Sequence, residues 1–262
     1  MQAEQRQPLP GASTTTLVAF GDSILYGWGV AREDGFPAQL ERLLAQRGKA
    51  SWRVVNAGVP GDTAIMGCLR YARDVAEVAP QVVLIAFGLN DGALRRTRFD
   101  AERERLWRAS RWPWAKAGYV ARRRLGIGGV RRAGGQDSDE AVGREPSPRV
   151  RPELFSAALR WLVDQSRGHG AEPHLVSLVP VDEEALTPNQ VRAYRAYDDM
   201  IRAVARRTGA ALVDLRSAMD PDWSTSMLAP DGIHLTVAGQ RWLAQAVVRH
   251  LVEKSTLWLG PK

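Results

Sequence analysis

Cysteine occurs once among the 262 residues, at Cys68. A lone thiol excludes an internal disulfide and removes a CxxC pair or a Cys/His zinc site from consideration. Cys68 sits in a helical pattern and reads as a small core residue. No run of eighteen apolar residues occurs, so no membrane-spanning helix is expected. The stretch from Met1 to Ser13 is polar and carries two prolines. It lacks the apolar centre of a secretory signal, and a cytoplasmic protein is expected. There is no internal repeat and no recognisable RNA- or DNA-binding motif. Histidine is scarce, with four in the chain, and only His234 follows a carboxylate at catalytic spacing.

What is present is ordinary for a folded domain: 45% hydrophobic and 25% charged residues. The net charge of +7 is unevenly placed. Between Gly92 and Pro152 there are 16 Arg/Lys against 7 Asp/Glu, whereas the remainder has 20 against 22. The basic character therefore belongs to one segment and not to the whole chain.

Apolar runs alternate with helical patterns. Leu17-Val18-Ala19-Phe20 reads as a short buried strand that opens at once into Gly21-Asp22-Ser23. A loop follows with Tyr26 and Trp28, then a helix on Phe36, Leu40, Leu43 and Leu44 closed by Gly48. Trp52 to Val55 predicts a second strand, running into Asn56-Ala57-Gly58-Val59-Pro60-Gly61-Asp62-Thr63. A helix from about Ala64 to Val78 ends before Pro80, and Val82 to Phe87 is the strongest strand, ending in Gly88-Leu89-Asn90-Asp91. A helix begins behind Pro152; His174–Val179 is a fourth strand, Asn189–Arg207 a long helix and Ala211–Leu215 a fifth strand. Asp231-Gly232-Ile233-His234 then precedes a last helix from Val237 to about Glu253, capped by Thr236. Such alternation predicts a parallel sheet covered on both faces, in one domain over about 15–255.

The segment of about 93–151 breaks this rhythm. It carries Trp107, Trp112, Trp114, an Arg122-Arg123-Arg124 run and five glycines from Gly126 to Gly135. Its first half reads as short helix and its second half as a mobile loop.

Each strand end presents a residue type suited to acyl transfer. The Ser23 hydroxyl is too weakly acidic to attack an ester unaided and needs a base. A neutral imidazole, that of His234, serves at neutral pH. Asp231, three residues earlier, suits the Nδ1–H and leaves Nε2 for the serine. The N–H groups of Ser23 and Gly61, with the Asn90 amide, supply three donors for an oxyanion.

In order, Gly21-Asp22-Ser23, the Asn56–Thr63 loop with Gly61, Gly88-Leu89-Asn90-Asp91 and Asp231-Gly232-Ile233-His234 resemble the blocks of the SGNH/GDSL hydrolases. The resemblance implies a three-layer α/β/α flavodoxin-like fold with a five-stranded parallel sheet in the order 2-1-3-4-5. It implies ester or thioester hydrolysis without a metal or organic cofactor. It assigns Ser23 as nucleophile and oxyanion donor, Gly61 and Asn90 as the other donors, His234 as base and Asp231 as its orienting acid. It covers about Leu17 to Leu251, apart from the long basic segment. Many members have proline after the histidine, where this chain has Leu235. Gly-x-Ser-x-Gly is absent, which argues against an ordinary α/β-hydrolase elbow.

Several residues admit a plainer role. Asp22, Asp62 and Asp91 read as helix caps or loop braces. His169, His174 and His250 have no well-placed acid in the sequence and read as structural or solvated. Tyr26 and Trp28 either wall a substrate pocket or simply pack. The basic segment is a solvated insertion, a lid over the site, or a peripheral contact with anionic membrane, with nucleic acid last. Three activities fit the set: an esterase working on a small-molecule or lipid ester, an acyltransferase using the same site, and a non-catalytic binding protein on this fold.

Overall fold

The computed structural model describes residues 14–47, 51–110, 146–219, 223 and 225–255. Five strands pair in one parallel sheet: β1 (Thr14–Gly21), β2 (Ser51–Gly58), β3 (Val82–Ala86), β4 (Glu172–Val176) and β5 (Ala211–Val213). Their order is β2-β1-β3-β4-β5, as the resemblance implied. The helices are α1 (Ser23–Tyr26), α2 (Phe36–Gln46), α3 (Ala64–Asp74), α4 (Leu89–Gly92), α5 (Arg98–Ser110), α6 (Pro152–Gly168), α7 (Pro188–Thr208) and α8 (Val237–Lys254).

The unbroken apolar run of β1 follows from burial on both faces. Leu17 and Ala19 point to one side, into a core with Phe36 and Leu40 of α2 and Leu243 and Val247 of α8. Val18 and Phe20 point to the other, against Ile65 and Tyr71 of α3 and Phe155 and Leu162 of α6. Fully burying a side chain of the size of Phe20 contributes about 1.5–3 kcal/mol. α2 and α8 share one layer. The Gln240 side chain accepts from the Phe36 N–H at 2.9 Å, capping a helix whose own N-cap residue, Gly35, has no side chain to offer.

Several boundaries differ from the sequence pattern. Ser23 does not lie in an open loop; it is the first residue of a helical turn capped by Asp22, whose carboxylate accepts from the Ile24 N–H at 3.0 Å. β2 is longer than Trp52–Val55, because it pairs with β1 along its whole length. The helix expected to reach Val78 stops at Asp74 and gives way to a 3₁₀ turn over Ala76–Val78. β4 begins at Glu172 and stops at Val176, since β5 is three residues long and offers no further ladder. Leu215 is out of the strand, its N–H donating to Ser177 Oγ. α2 ends on Arg47, and Gly48 lies outside the described residues. The first half of the basic segment is helical in α5; the expected loop over 126–135, with Trp112 and Trp114, lies outside them too.

β1 is flanked by β2 on one side and β3 on the other, so chain order reverses beside it. Ligands of open α/β sheets bind outside the carboxyl ends of the strands at such a point. Ser23, Gly61 and Asn90 follow the carboxyl ends of these three neighbours.

Candidate active site

Ser23 opens α1 with its side chain toward the sheet's carboxyl edge, and the residue is only 8% exposed. Its Oγ lies 3.0 Å from His234 Nε2. The other ring nitrogen, Nδ1, lies 2.5 Å from Asp231 Oδ2. The second Asp231 oxygen accepts from the N–H groups of Ile233 and His234, at 3.0 and 2.9 Å. Burial pushes the Asp231 carboxyl up, but the His234 ring and these two amides outweigh it and hold the group below the ordinary carboxylate range. The loop around it is closed by Ala229 N–H donating to His234 O at 2.7 Å and by a bridge between Leu228 and Leu235. Gly232 turns the loop at φ +70°, and its carbonyl accepts from Asp182 N–H.

Gly61 sits at the apex of a Val59-Pro60-Gly61-Asp62 turn, with Asp62 N–H donating to Val59 O at 3.1 Å. Proline followed by a residue of positive φ is the type II pattern, and Gly61 has φ +81°. Nothing lies within 4 Å of the position a Cβ would take, so conformation and not crowding calls for glycine here. The Gly61 N–H has no acceptor among the described residues. Asn90, in α4, donates through Nδ2 to Asp22 Oδ2 at 3.3 Å, which leaves that amide a second N–H.

Beneath these donors lies a layer of buried acids. Burial pushes Asp22 up to about 6, against the bonds from Ile24 N–H and Asn90. Asp91 accepts from Ala64 N–H at 2.9 Å, tying α4 to the start of α3, and burial pushes it up to about 8. Asp62 is held by Arg70 and is also raised by burial. All three thus brace local structure, as their sequence positions imply.

The raised Asp91 gives a pH prediction. Its folded value exceeds the unfolded one, so the folded state keeps a proton that the unfolded state releases, and stability falls as pH rises through that window toward 8. Asp91→Asn cannot titrate. Urea denaturation at pH 4.5, 6.5 and 8.5 is expected to show wild type losing ground to Asp91→Asn as pH rises. A constant difference across that range would contradict the assignment.

Tyr26 and Trp28 do not close over the serine. They are 45% and 50% exposed, with ring centroids 6.4 Å apart. Trp28 is tied to the site through its backbone, its N–H donating to Ser23 O at 3.1 Å. His169 has its Nδ1 on Gln165 O at 2.7 Å, a structural contact. The expectation that no acid partners His174 is corrected. Its Nε2 lies 3.2 Å from Glu172 Oε1 and its Nδ1 lies 2.9 Å from His250 Nε2. Glu172 and His174 are two apart on β4 and share a face, a signal the sequence carried. This cluster stands at the start of β4, on the sheet edge opposite to Ser23.

Two arginines escaped the sequence reading. Arg70 of α3 donates to Gly21 O, Ala57 O, Asp62 and Asp74, joining the ends of β1 and β2. Arg149 donates to Gly61 O at 2.9 Å and is paired with Asp100 of α5. Neither belongs to a motif block; apart from Asp74, four residues along the same helix from Arg70, their partners are brought to them by the fold.

A family model described as GDSL-like lipase/acylhydrolase matches residues 19–242. The chain belongs to this family. Esterase TesA of Pseudomonas aeruginosa is 41% identical over 81 residues, a stretch that covers 31% of this chain and 40% of that esterase's length. An uncharacterized lipoprotein, YqeF of Bacillus subtilis, is 22% identical over 266 residues, covering 90% of this chain and 89% of that one. Among solved structures, a lipase/acylhydrolase from Enterococcus faecalis superposes with a TM-score of 0.64 at 19% identity, covering 90% of this chain and 95% of its own. An acetylxylan esterase from Geobacillus stearothermophilus, solved as a catalytic mutant, gives 0.60 at 22% identity, covering 90% and 94%. The GDSL-like esterase and acylhydrolase fold is thus shared across most of the chain. None of the described helices is long and apolar enough to cross a membrane.

Proposed function

We propose that this GDSL-family hydrolase cleaves an acyl or acetyl ester through an acyl-enzyme on Ser23. One observation carries the reading: a serine hydroxyl, an imidazole and a carboxylate stand in an unbroken chain of 3.0 and 2.5 Å contacts at the carboxyl edge of the sheet. His234 Nε2 takes the Ser23 proton as Oγ bonds to the ester carbonyl carbon. The carbonyl oxygen becomes an oxyanion, received by the N–H groups of Ser23 and Gly61 and by the free N–H of the Asn90 amide. As the carbon–oxygen bond to the alcohol breaks, the imidazolium returns its proton to the leaving oxygen. Water then repeats the sequence, releasing the acid and restoring Ser23. Asp231 holds the ring with Nδ1 protonated and steadies the imidazolium. The whole machinery lies in one domain over 15–255, interrupted by the basic insertion. Tyr26 and Trp28, exposed beside the nucleophile, form an open apolar shelf for the substrate rather than a closed pocket.

The test is a fluorophosphonate probe followed by peptide mass mapping, with a chain-length series of p-nitrophenyl esters. A stoichiometric adduct on Ser23 and turnover of at least the short esters are expected. An unlabelled Ser23 in folded protein would overturn the reading.

A second reading concerns the membrane surface. α5 presents Arg98, Arg105 and Arg108 to solvent beside exposed Phe99 and Leu106. Arg96, Arg105, Arg108 and Arg151 line a hollow of about 430 Å³ together with Glu104, which pairs with Arg96, Arg108 and Arg151, while Arg151 also approaches Glu153. Basic and apolar groups on one face favour anionic lipid interfaces. We propose peripheral contact with anionic membrane through this face. Co-sedimentation with phosphatidylserine vesicles is expected to drop at least about threefold in Arg105→Glu/Arg108→Glu and in 0.5 M salt. Equal pelleting of the variant would sink the idea.

A further inference from the structure

The two ends of the basic segment meet at the loop that carries Gly61. Its first end is α5, which carries Asp100. Its second is the run leading into α6, where Arg149 N–H donates to Ala93 O and Val150 N–H to Asp91 O. Arg149 Nε and Nη2 both contact Asp100 Oδ1, at 3.1 and 3.0 Å, and Nη1 donates to Gly61 O at 2.9 Å. The pair is buried, the side chains being 11% and 3% exposed. Asp100 is itself fixed, accepting from Thr97 N–H and Oγ1 at 3.0 Å.

We infer that Arg149, held by Asp100, is a positioning residue for the Gly61 oxyanion donor, and that the ends of the insertion form a brace for that loop. Glycine at a turn apex has more backbone freedom than any other residue, and a donor acts on a transition state only when its direction is set beforehand. Val59 N–H, donating to Gly21 O, anchors the entry of the turn, and Arg70 anchors Asp62 beyond it. Gly61 between them has, among the described residues, one backbone hydrogen bond to the rest of the fold, from the guanidinium to its carbonyl. That bond restrains rotation about the Gly61 backbone and so fixes where its N–H points. A planar guanidinium serves both partners at once, whereas an ammonium serves them only as a point charge.

The inference rests on the proposed hydrolase reading. Its test compares Arg149→Gln, Arg149→Lys, Asp100→Asn and Ser23→Ala on one activated ester. Wild type and the Arg149 and Asp100 variants are also measured for inhibition by an alkyl boronic acid, which becomes tetrahedral on the serine and draws on the same donors. Arg149→Gln is expected to lose about tenfold in kcat, with KM within twofold and boronate inhibition weakened about as much as kcat. Arg149→Lys recovers part of that loss, and Arg149→Gln/Asp100→Asn is no worse than Arg149→Gln alone. A merely structural role would lower the melting temperature without moving the ratio of boronate inhibition to KM. If Arg149→Gln keeps wild-type kcat and boronate affinity while Ser23→Ala is inactive, the brace is wrong and the hydrolase reading stands. If Ser23→Ala remains active, the hydrolase reading itself fails.

Discussion

Ser23→Ala is expected to lower kcat/KM on p-nitrophenyl butyrate by at least about 10⁴-fold, because loss of the proposed nucleophile removes the covalent route and leaves only binding and oxyanion stabilisation. Stability moves little. The Oγ gives up one contact, to His234 Nε2, and that imidazole stays partly open to water and anchored by Asp231. The melting temperature therefore stays within a few degrees of wild type, and the fluorophosphonate adduct disappears. Retention of more than a tenth of wild-type turnover in purified Ser23→Ala would remove Ser23 from the mechanism.

Arg70→Met is the second large effect, on stability. The Arg70 side chain is 11% exposed and makes four polar contacts, to Asp62 at 2.6 Å, Asp74 at 2.9 Å, and the carbonyls of Ala57 and Gly21 at 2.8 Å each. Its guanidinium carbon also lies 4.3 Å from the centroid of the Phe20 ring. Methionine keeps part of the volume but strands the buried Asp62 carboxylate. Breaking a buried pair from one side costs about 3–5 kcal/mol. Burial already raises Asp62, and Arg70 is the largest influence opposing that rise. In the variant the folded state therefore holds a proton the unfolded state has lost, over a wider window, and stability falls as pH climbs through it. The defect is accordingly larger at pH 8 than at pH 5, and Arg70→Met/Asp62→Asn regains much of it at pH 8. Urea denaturation at both pH values measures this. A loss under 1 kcal/mol at pH 8 would show that the pair is not a structural tie.

The parts of the site that the sequence disclosed are those where local signals coincide. An apolar run that halts at Gly-Asp-Ser marks both a strand end and the position of the proposed nucleophile, and Val-Pro-Gly-Asp marks a turn whose apex needs positive φ. Asp231 and His234 are three residues apart, so their pairing is local as well. Ser23 was misplaced by one level of detail, since four residues are too few to show a helical period. Strand ends drifted because pairing length depends on the neighbour, as with β4 beside the short β5. Arg149, the His174–His250 pair and the reach of Arg70 to Gly21 were illegible for a different reason. Those contacts span 88, 76 and 49 residues, and nothing in the spacing encodes them, although the Arg70–Asp74 pair itself sits at helical spacing. Tyr26 and Trp28 were visible as aromatics, but whether they wall a cavity or stand open is decided by the packing around them.

The distance in chain between Ser23 and His234 has a consequence for biosynthesis. The imidazole is carried on the loop just ahead of α8, and α8 must seat on α2 before that loop is fixed. Strands β1 to β5 have all left the ribosome by then, so the sheet can form while the chemistry is still missing. A polypeptide truncated before the last helix is therefore expected to show no esterase turnover, and the appearance of turnover during refolding is expected to report that the final helix has docked.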